Sequence, residues 1–360
     1  MANKRIALLT GGGDCPGLNP AIRGAVLKAT QLGYECVGLL DGWKGAIEGN
    51  HKPLTAACVA EIVGKGGTVL GTSRTNPYKK EGGVPKVLET FKKLQLDALI
   101  AMGGEDTLGV ASKLYAEHKV PVVGVPKTMD NDLSATDYTF GFDTSATIAV
   151  DAAERLRDTG RSHKRIMLLE VMGRHAGWVA LFTGIAAGAD YVCLPERPVD
   201  VKDMVAKLKA AHAAKGTALV VASEAIDLPG DSKDKPLDEF GHEILKARGV
   251  AERLTAVIEK ETGIETRSAV IGHIQRGGPP TLFDRILGTR VGTKAAELVH
   301  EGKFGNMVAL KGDAVVPVSL KEATAKLKTV TPAWLELLDA MTALPKGAAA
   351  GARAKAKAAA

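Results

Sequence analysis

Short apolar runs along this chain alternate with longer stretches of helical periodicity, and that alternation narrows the fold more than any other property of the sequence. Ile6-Ala7-Leu8-Leu9-Thr10 is the first run, closed by Gly11-Gly12-Gly13. Uninterrupted apolar runs of this length suit strands covered on both faces. Asn19-Pro20 then pairs a favoured N-cap with a favoured first helical residue; Ile22, Val26 and Ala29 mark one helix face and Gly33 its stop. Further strands are predicted at 35–40, 97–102, 120–125, 165–171, 217–223, 266–271 and 306–311. Helices are predicted at 84–94, 105–118, 144–158, 176–187, 201–214, 241–262 and 283–301. Strand–helix alternation on this scale means an α/β fold with mainly parallel sheets flanked by helices. A chain of 360 residues has room for two such sheets and two domains.

Composition removes several functional classes. The formal charge of +6 would suggest nucleic acid, but Lys346, Arg353, Lys355 and Lys357 supply four of those six charges from a low-complexity Ala-rich end. The body is therefore nearly neutral, and with 4% aromatics it offers neither a basic footprint nor stacking platforms for bases. The uncharged stretch from Ala176 to Ala189 falls short of the ~20 residues that a membrane-spanning helix needs. The apolar run after the N-terminus is too short for a signal peptide. Cys15, Cys36, Cys58 and Cys193 are too scattered for a metal knuckle or a redox pair and read as reduced thiols. The expectation is a soluble, cytoplasmic protein with no nucleic-acid or membrane partner. Residues 227–239 are expected to form a polar surface loop and residues 346–360 a disordered basic tail.

Three loops that follow strands have phosphate-type chemistry, and ligands of open α/β sheets sit where strands end. The first is Thr10-Gly11-Gly12-Gly13-Asp14-Cys15-Pro16-Gly17. Glycines ahead of a helix expose backbone N–H groups that attract anions, although a plain Gly-rich turn would look the same. It is neither a Walker A loop nor a GxGxxG fingerprint, because Pro16 occupies the third glycine's place. The second loop is Met102-Gly103-Gly104-Glu105-Asp106-Thr107-Leu108-Gly109. Its adjacent carboxylates either complement the helix dipole or ligate Mg²⁺, which takes one or two carboxylates plus phosphate oxygens. The third is Val125-Pro126-Lys127-Thr128-Met129-Asp130-Asn131-Asp132. It is readable as an Asx-rich turn, or as a base, a positive charge and a hydroxyl gathered in one place. Downstream, Arg165, Arg174, Arg267 and Arg276 lie near predicted strand ends, where arginines suit a phosphorylated substrate.

The ordered set Gly-Gly-Asp-Cys-Pro-Gly-Leu-Asn at 12–19, Gly-Gly-Thr-Val-Leu-Gly-Thr-Ser-Arg at 66–74 and Gly-Gly-Glu-Asp-Thr at 103–107 resembles the 6-phosphofructokinase family. So do Pro-Lys-Thr-Met-Asp-Asn-Asp at 126–132, Glu-Val-Met-Gly-Arg at 170–174 and Gly-His-Ile-Gln-Arg-Gly-Gly at 272–278. The resemblance implies phosphoryl transfer to the 1-hydroxyl of fructose 6-phosphate, in the cleft between two domains. It assigns residues 1–141 plus 275–325 to a larger donor-binding domain and 142–274 plus 326–345 to a smaller sugar-phosphate domain. Asp130 matches the proton acceptor, Glu105 the Mg²⁺ ligand, Gly12 a donor contact, and Arg74 a residue beside the transferred group. Thr128, Met129, Asp132, Arg165, Met172, Gly173, Arg174, Glu224, Arg267, His273, Ile274, Gln275 and Arg276 match sugar-phosphate positions. Arg165 and Arg267 would reach a neighbouring subunit's site, which implies a homodimer or homotetramer with shared sites.

Two departures bear on the donor. Family members that use ATP carry glycine where this chain has Asp106 and Lys127. Asp106 adds bulk and negative charge where a nucleotide's α-phosphate would lie, and Lys127 adds an ammonium that a small donor needs. The pair resembles the pyrophosphate-dependent branch, with reversible transfer expected. An ATP-dependent kinase on the same fold is the alternative. A non-catalytic sugar-phosphate sensor would lack the base that Asp130 supplies, and a dinucleotide oxidoreductase lacks its fingerprint here. The nucleotide and phosphoenolpyruvate effector site of ATP-using bacterial relatives is also depleted. Arg23 remains, but Leu27, Ala56-Ala57 and Lys215-Gly216-Thr217 stand where further cations are expected.

Overall fold

The structure, a computed structural model, describes residues 4–228 and 249–343. The chain divides into two compact units. One takes in the residues up to Ser145 together with Arg276–Lys328; the other takes in Ala146–Gln275 and the residues from Thr329 on. The resemblance had set these divisions at 141/142, 274/275 and 325/326.

The first unit is built on a seven-stranded sheet. Its strands are β1 (Arg5–Thr10), β2 (Glu35–Leu39), β3 (His51–Leu54), β4 (Ala98–Gly103), β5 (Val122–Pro126), β10 (Asn306–Lys311) and β11 (Ala314–Ser319). They lie in the order β11-β10-β5-β4-β1-β2-β3. The five central strands are parallel, with Ile6 opposite Ala98 and Ala101 opposite Gly124, while β3 and β11 run antiparallel at the two edges. All six residues of β4 and all five of β5 are buried. That burial on both faces explains why these strands read as unbroken apolar runs. Helix α1 (Leu18–Gln31) follows β1, and α4 (Glu105–His118) follows β4 with the bounds the sequence predicts.

The second unit has a four-stranded parallel sheet, β7-β8-β6-β9. Its strands are β6 (Ile166–Val171), β7 (Tyr191–Cys193), β8 (Ala218–Ser223) and β9 (Thr266–Val270). Around them lie α6 (Trp178–Ala187), α7 (Val201–Lys215), α8 (Val250–Thr262) and α11 (Pro332–Met341). Helix α5 (Phe142–His163) contains the 145/146 division. Ile166, Leu168, Val220, Ala222, Leu254 and Ile258 are fully buried and form the core beneath this sheet.

Several expectations are corrected. Asn19 does not cap α1: the helix starts at Leu18 with Gly17, φ +103°, at the N-cap. The Asn19 amide instead donates to the carbonyls of Lys65 and Gly66, both at 3.1 Å, and accepts from the Val69 N–H at 2.9 Å. A buried amide with that many backbone partners is more useful holding a distant loop than capping its own helix. Helix α5 extends beyond 144–158 at both ends. Of the helix expected at 241–262, residues 250–262 are helical, and 241–248 lie outside the described residues. The strands β3, β7 and β11, and helices α2 (Trp43–Glu48), α10 (Leu320–Ala323) and α11, carried no expectation. Most of the 227–239 loop and the 346–360 tail lie outside the described residues.

Candidate active site

The three loops meet at the carboxyl ends of β1, β4 and β5. The Gly11 N–H donates to the Met102 carbonyl at 2.9 Å, and the Lys127 N–H donates to the Gly103 carbonyl at 2.9 Å. The first loop is held on its other side by the segment after Gly71. Gly12 N–H donates to the Ser73 carbonyl at 3.2 Å, and the Thr72 hydroxyl donates to the Gly12 carbonyl at 2.6 Å. Arg74, the next residue, is exposed.

Lys127 ties the third loop to the first. Its ammonium donates to the Gly13 carbonyl, and a Cβ built on Gly12 would lie 3.5 Å from its Nζ. Gly12 has φ +79°, a left-handed conformation that glycine tolerates best. The side chain of Lys127 is buried, and burial, with the nearby Arg276 guanidinium, pulls its pKa below the usual lysine value. Asp130 and Asp132 work in the opposite direction. An anion placed against Lys127 would favour its charged form.

Arg276 packs on the same glycine loop. A Cβ on Gly13 would sit 1.7 Å from its Nη1, so no larger residue fits there without displacing the guanidinium. The Arg276 Nε is buried and has no hydrogen-bond partner.

Within the third loop, the Thr128 hydroxyl accepts from the Asp130 N–H at 3.1 Å and donates to the Asp132 carboxylate. Burial pushes the Asp132 carboxyl well above its ordinary value, and the charges of Asp130 and Glu105 add to the rise. Asp130 Oδ1 is buried without any hydrogen-bond partner. A carboxylate oxygen left unpaired in such a place is costly, and it is an acceptor open to a hydroxyl or a cation. Glu105 and Asp106 occupy the first turn of α4 and are partly exposed. Among the described residues no cluster of three or more ligating side chains is arranged to hold a metal. Mutually repelling carboxylates without a full ligand set fit an ion held by one or two carboxylates and completed by phosphate oxygens, the habit of Mg²⁺. Met129 is buried, with its sulfur facing the Ser145 hydroxyl at 4.0 Å.

In the second unit, Met172, Gly173 and Arg174 follow β6. The Met172 N–H donates to Gln275 Oε1 at 2.8 Å, and the Gly173 N–H to Glu224 Oε1 at 3.3 Å. The Ser223 hydroxyl donates to the Gly173 carbonyl at 3.0 Å. Gln275 is fully buried, so its side chain braces this loop, whereas His273 and Ile274, in the 3-10 turn Gly272–Arg276, are exposed. Arg165 and Arg267 are elsewhere. They flank the opposite ends of β6 and β9, where Glu265 pairs with Arg165 at 2.8 Å and also with Arg267. Six residues of β6 separate Arg165 from Met172, a span of about 20 Å along a strand. The structure therefore groups Met172, Gly173, Glu224 and Gln275, and keeps Arg165 and Arg267 apart from them. Lys328, which the sequence reading passed over, bonds the third loop from below. Its N–H donates to the Asp132 carbonyl at 2.7 Å and its ammonium to Asn131 Oδ1 at 3.0 Å.

The described residues include no helix long and apolar enough to cross a membrane. The family described as Phosphofructokinase matches residues 5–299 of the chain. The chain is 50% identical to the pyrophosphate–fructose 6-phosphate 1-phosphotransferase of Dictyoglomus thermophilum over 341 residues, 93% of this chain and 98% of that protein. It is 46% identical to ATP-dependent 6-phosphofructokinase 3 of Streptomyces coelicolor over 334 residues, 91% of this chain and 97% of that one. The crystal structure of a pyrophosphate-dependent phosphofructokinase from Nitrosospira multiformis superimposes with a TM-score of 0.81 at 22% identity, covering 91% of this chain and 86% of that one. That likeness speaks to the fold.

Proposed function

Because the chain belongs to the phosphofructokinase family, we propose that it transfers a phosphoryl group reversibly between pyrophosphate and the 1-hydroxyl of fructose 6-phosphate. The products are fructose 1,6-bisphosphate and phosphate. The observation that carries this reading is the buried, unpartnered Oδ1 of Asp130, on the same short loop as an ammonium bonded to the glycine turn. Asp130 accepts the proton of the sugar hydroxyl as that oxygen attacks phosphorus. Lys127, with Gly12 beside it, receives the pyrophosphate, and Asp106 at the head of α4 discourages a nucleotide. Thr128 keeps Asp130 and Asp132 in place through its single hydroxyl. Arg74 and Arg276 neutralise charge on the transferring group and its neighbours. Met172, Gly173, Arg174, Glu224, His273, Ile274 and Gln275 form the sugar-phosphate side of the machinery.

The metal is Mg²⁺ with Glu105 as its protein ligand, and when bound it neutralises charge on the phosphate oxygens. The separation of Arg165 and Arg267 from the other sugar-phosphate residues supports an assembly of two or four copies in which they serve a neighbour. Four free cysteines, three of them buried, support a reducing cytoplasmic setting.

The direct test is Asp130→Asn. Its forward turnover should fall by ~10²–10⁴-fold, the usual worth of a general base, while fructose 6-phosphate affinity changes far less. A variant that turns over at nearly the wild-type rate would remove Asp130 from this role.

A further inference from the structure

The turn that carries Asp130 is not self-supporting. Asn131, between the two aspartates, is buried and left-handed at φ +52°, a conformation that asparagine tolerates better than other non-glycine residues and that here comes with a fully engaged side-chain oxygen. Its Oδ1 accepts from the Thr139 N–H at 3.1 Å and from the Lys328 ammonium at 3.0 Å. The same ammonium donates to the carbonyls of Thr136 at 3.1 Å and Asp137 at 2.9 Å, which uses its three protons. The Lys328 N–H donates to the Asp132 carbonyl at 2.7 Å, and Leu133 bridges to Leu327. Lys328 thus holds the loop at Asn131, Asp132, Thr136 and Asp137, all on the C-terminal side of Asp130.

We propose that Lys328 is a positioning residue for the proton acceptor: by holding the Asn131 side chain and the Asp132 carbonyl it fixes the turn that aims the Asp130 carboxylate. The charged groups that face it are Asp137 and Asp132, which attract it, and Lys311, which repels it. Burial lowers its pKa to about 8, so it is mainly a cation at neutral pH. A base displaced by even 1 Å loses much of its effect. The inference rests on the activity proposed above.

Lys328→Met, Lys328→Arg and the exposed control Lys326→Met separate positioning from mere support. Lys328→Met should lower kcat by ~10–100-fold. KM for both substrates should stay within about threefold. Lys328→Arg, which keeps the charge and several donors, should recover most of the rate, and Lys326→Met should match wild type. Hydrogen exchange at residues 127–139 should quicken in Lys328→Met alone. A folded Lys328→Met enzyme with unchanged kcat or unchanged exchange would overturn the proposal and leave the assigned activity standing. Equal losses in Lys328→Met and Lys328→Arg would also overturn it. A wild-type protein inert toward fructose 6-phosphate with either donor would instead overturn the activity itself, and this inference with it.

Discussion

In the proposed reaction Asp130 and Lys127 serve the two ends of the phosphoryl transfer from one short loop. The Asp130 Oδ1 is buried without a hydrogen-bond partner, and the Lys127 ammonium lies on the glycine turn. Donor choice belongs to this scale. In the proposed site Asp106 would oppose a nucleotide's α-phosphate with a like charge, a contact worth several kcal/mol when desolvated and so roughly 100-fold or more in selectivity. Asp106→Gly should let ATP compete for the donor site. Lys127→Gly should chiefly damage turnover with pyrophosphate. Initial rates of both variants with both donors check the split; an intact Asp106→Gly protein that still neither binds nor uses ATP would show that Asp106 is not the barrier. The gathering of the three loops was legible in local sequence, because each directly follows a buried strand. Lys328 was not readable. It lies 197 residues from Asn131, in a stretch with other lysines, and only the fold brings the two together.

At the scale of elements, helices α5 and α9 (Leu282–His300) interlock at their N-termini. Asp284 Oδ2 accepts from the Thr144 N–H at 2.8 Å and its hydroxyl at 2.6 Å, and the Thr281 hydroxyl donates to Asp143 at 2.6 Å. Burial raises the Asp284 carboxyl from 3.8 to about 6, against the lowering effect of its Thr144 bonds. The folded state thus holds a proton that the unfolded chain has lost, so this group's contribution to stability falls as pH rises through that window. The shift corresponds to roughly 3 kcal/mol. In Asp284→Asn the melting temperature should vary less between pH 4 and 6 than in wild type, with Asp132 supplying part of the remaining slope. An unchanged slope would place the titration elsewhere. The same scale explains what pattern reading missed. The strand β11 contains Pro317 and lies at a sheet edge, where a missing N–H is tolerated but the strand signal is weak. Three-residue β7 is too short to show any period. Asn19-Pro20 misled by two positions, because the Asn19 amide serves the 65–69 segment.

At the scale of the whole molecule, the cations for an inter-subunit effector site are reduced to Arg23 on α1, with Leu27 one turn further along. A dianionic effector needs several charge-assisted bonds to offset its desolvation, and a ligand shifts only an equilibrium whose states it binds differently. Saturation by fructose 6-phosphate should be hyperbolic and unmoved by ADP or phosphoenolpyruvate; a sigmoidal curve that ADP straightens would contradict this. The central claim concerns the donor, and relatives at 50% and 46% identity carry names that divide on that point. The deciding measurement is the initial rate of the wild-type enzyme with Mg²⁺ and fructose 6-phosphate, supplied with pyrophosphate or with ATP. Fructose 1,6-bisphosphate should form rapidly from pyrophosphate, roughly 100-fold or more efficiently than from ATP, and the reaction should reverse on adding phosphate to the bisphosphate. Efficient turnover with ATP and none with pyrophosphate would contradict the claim.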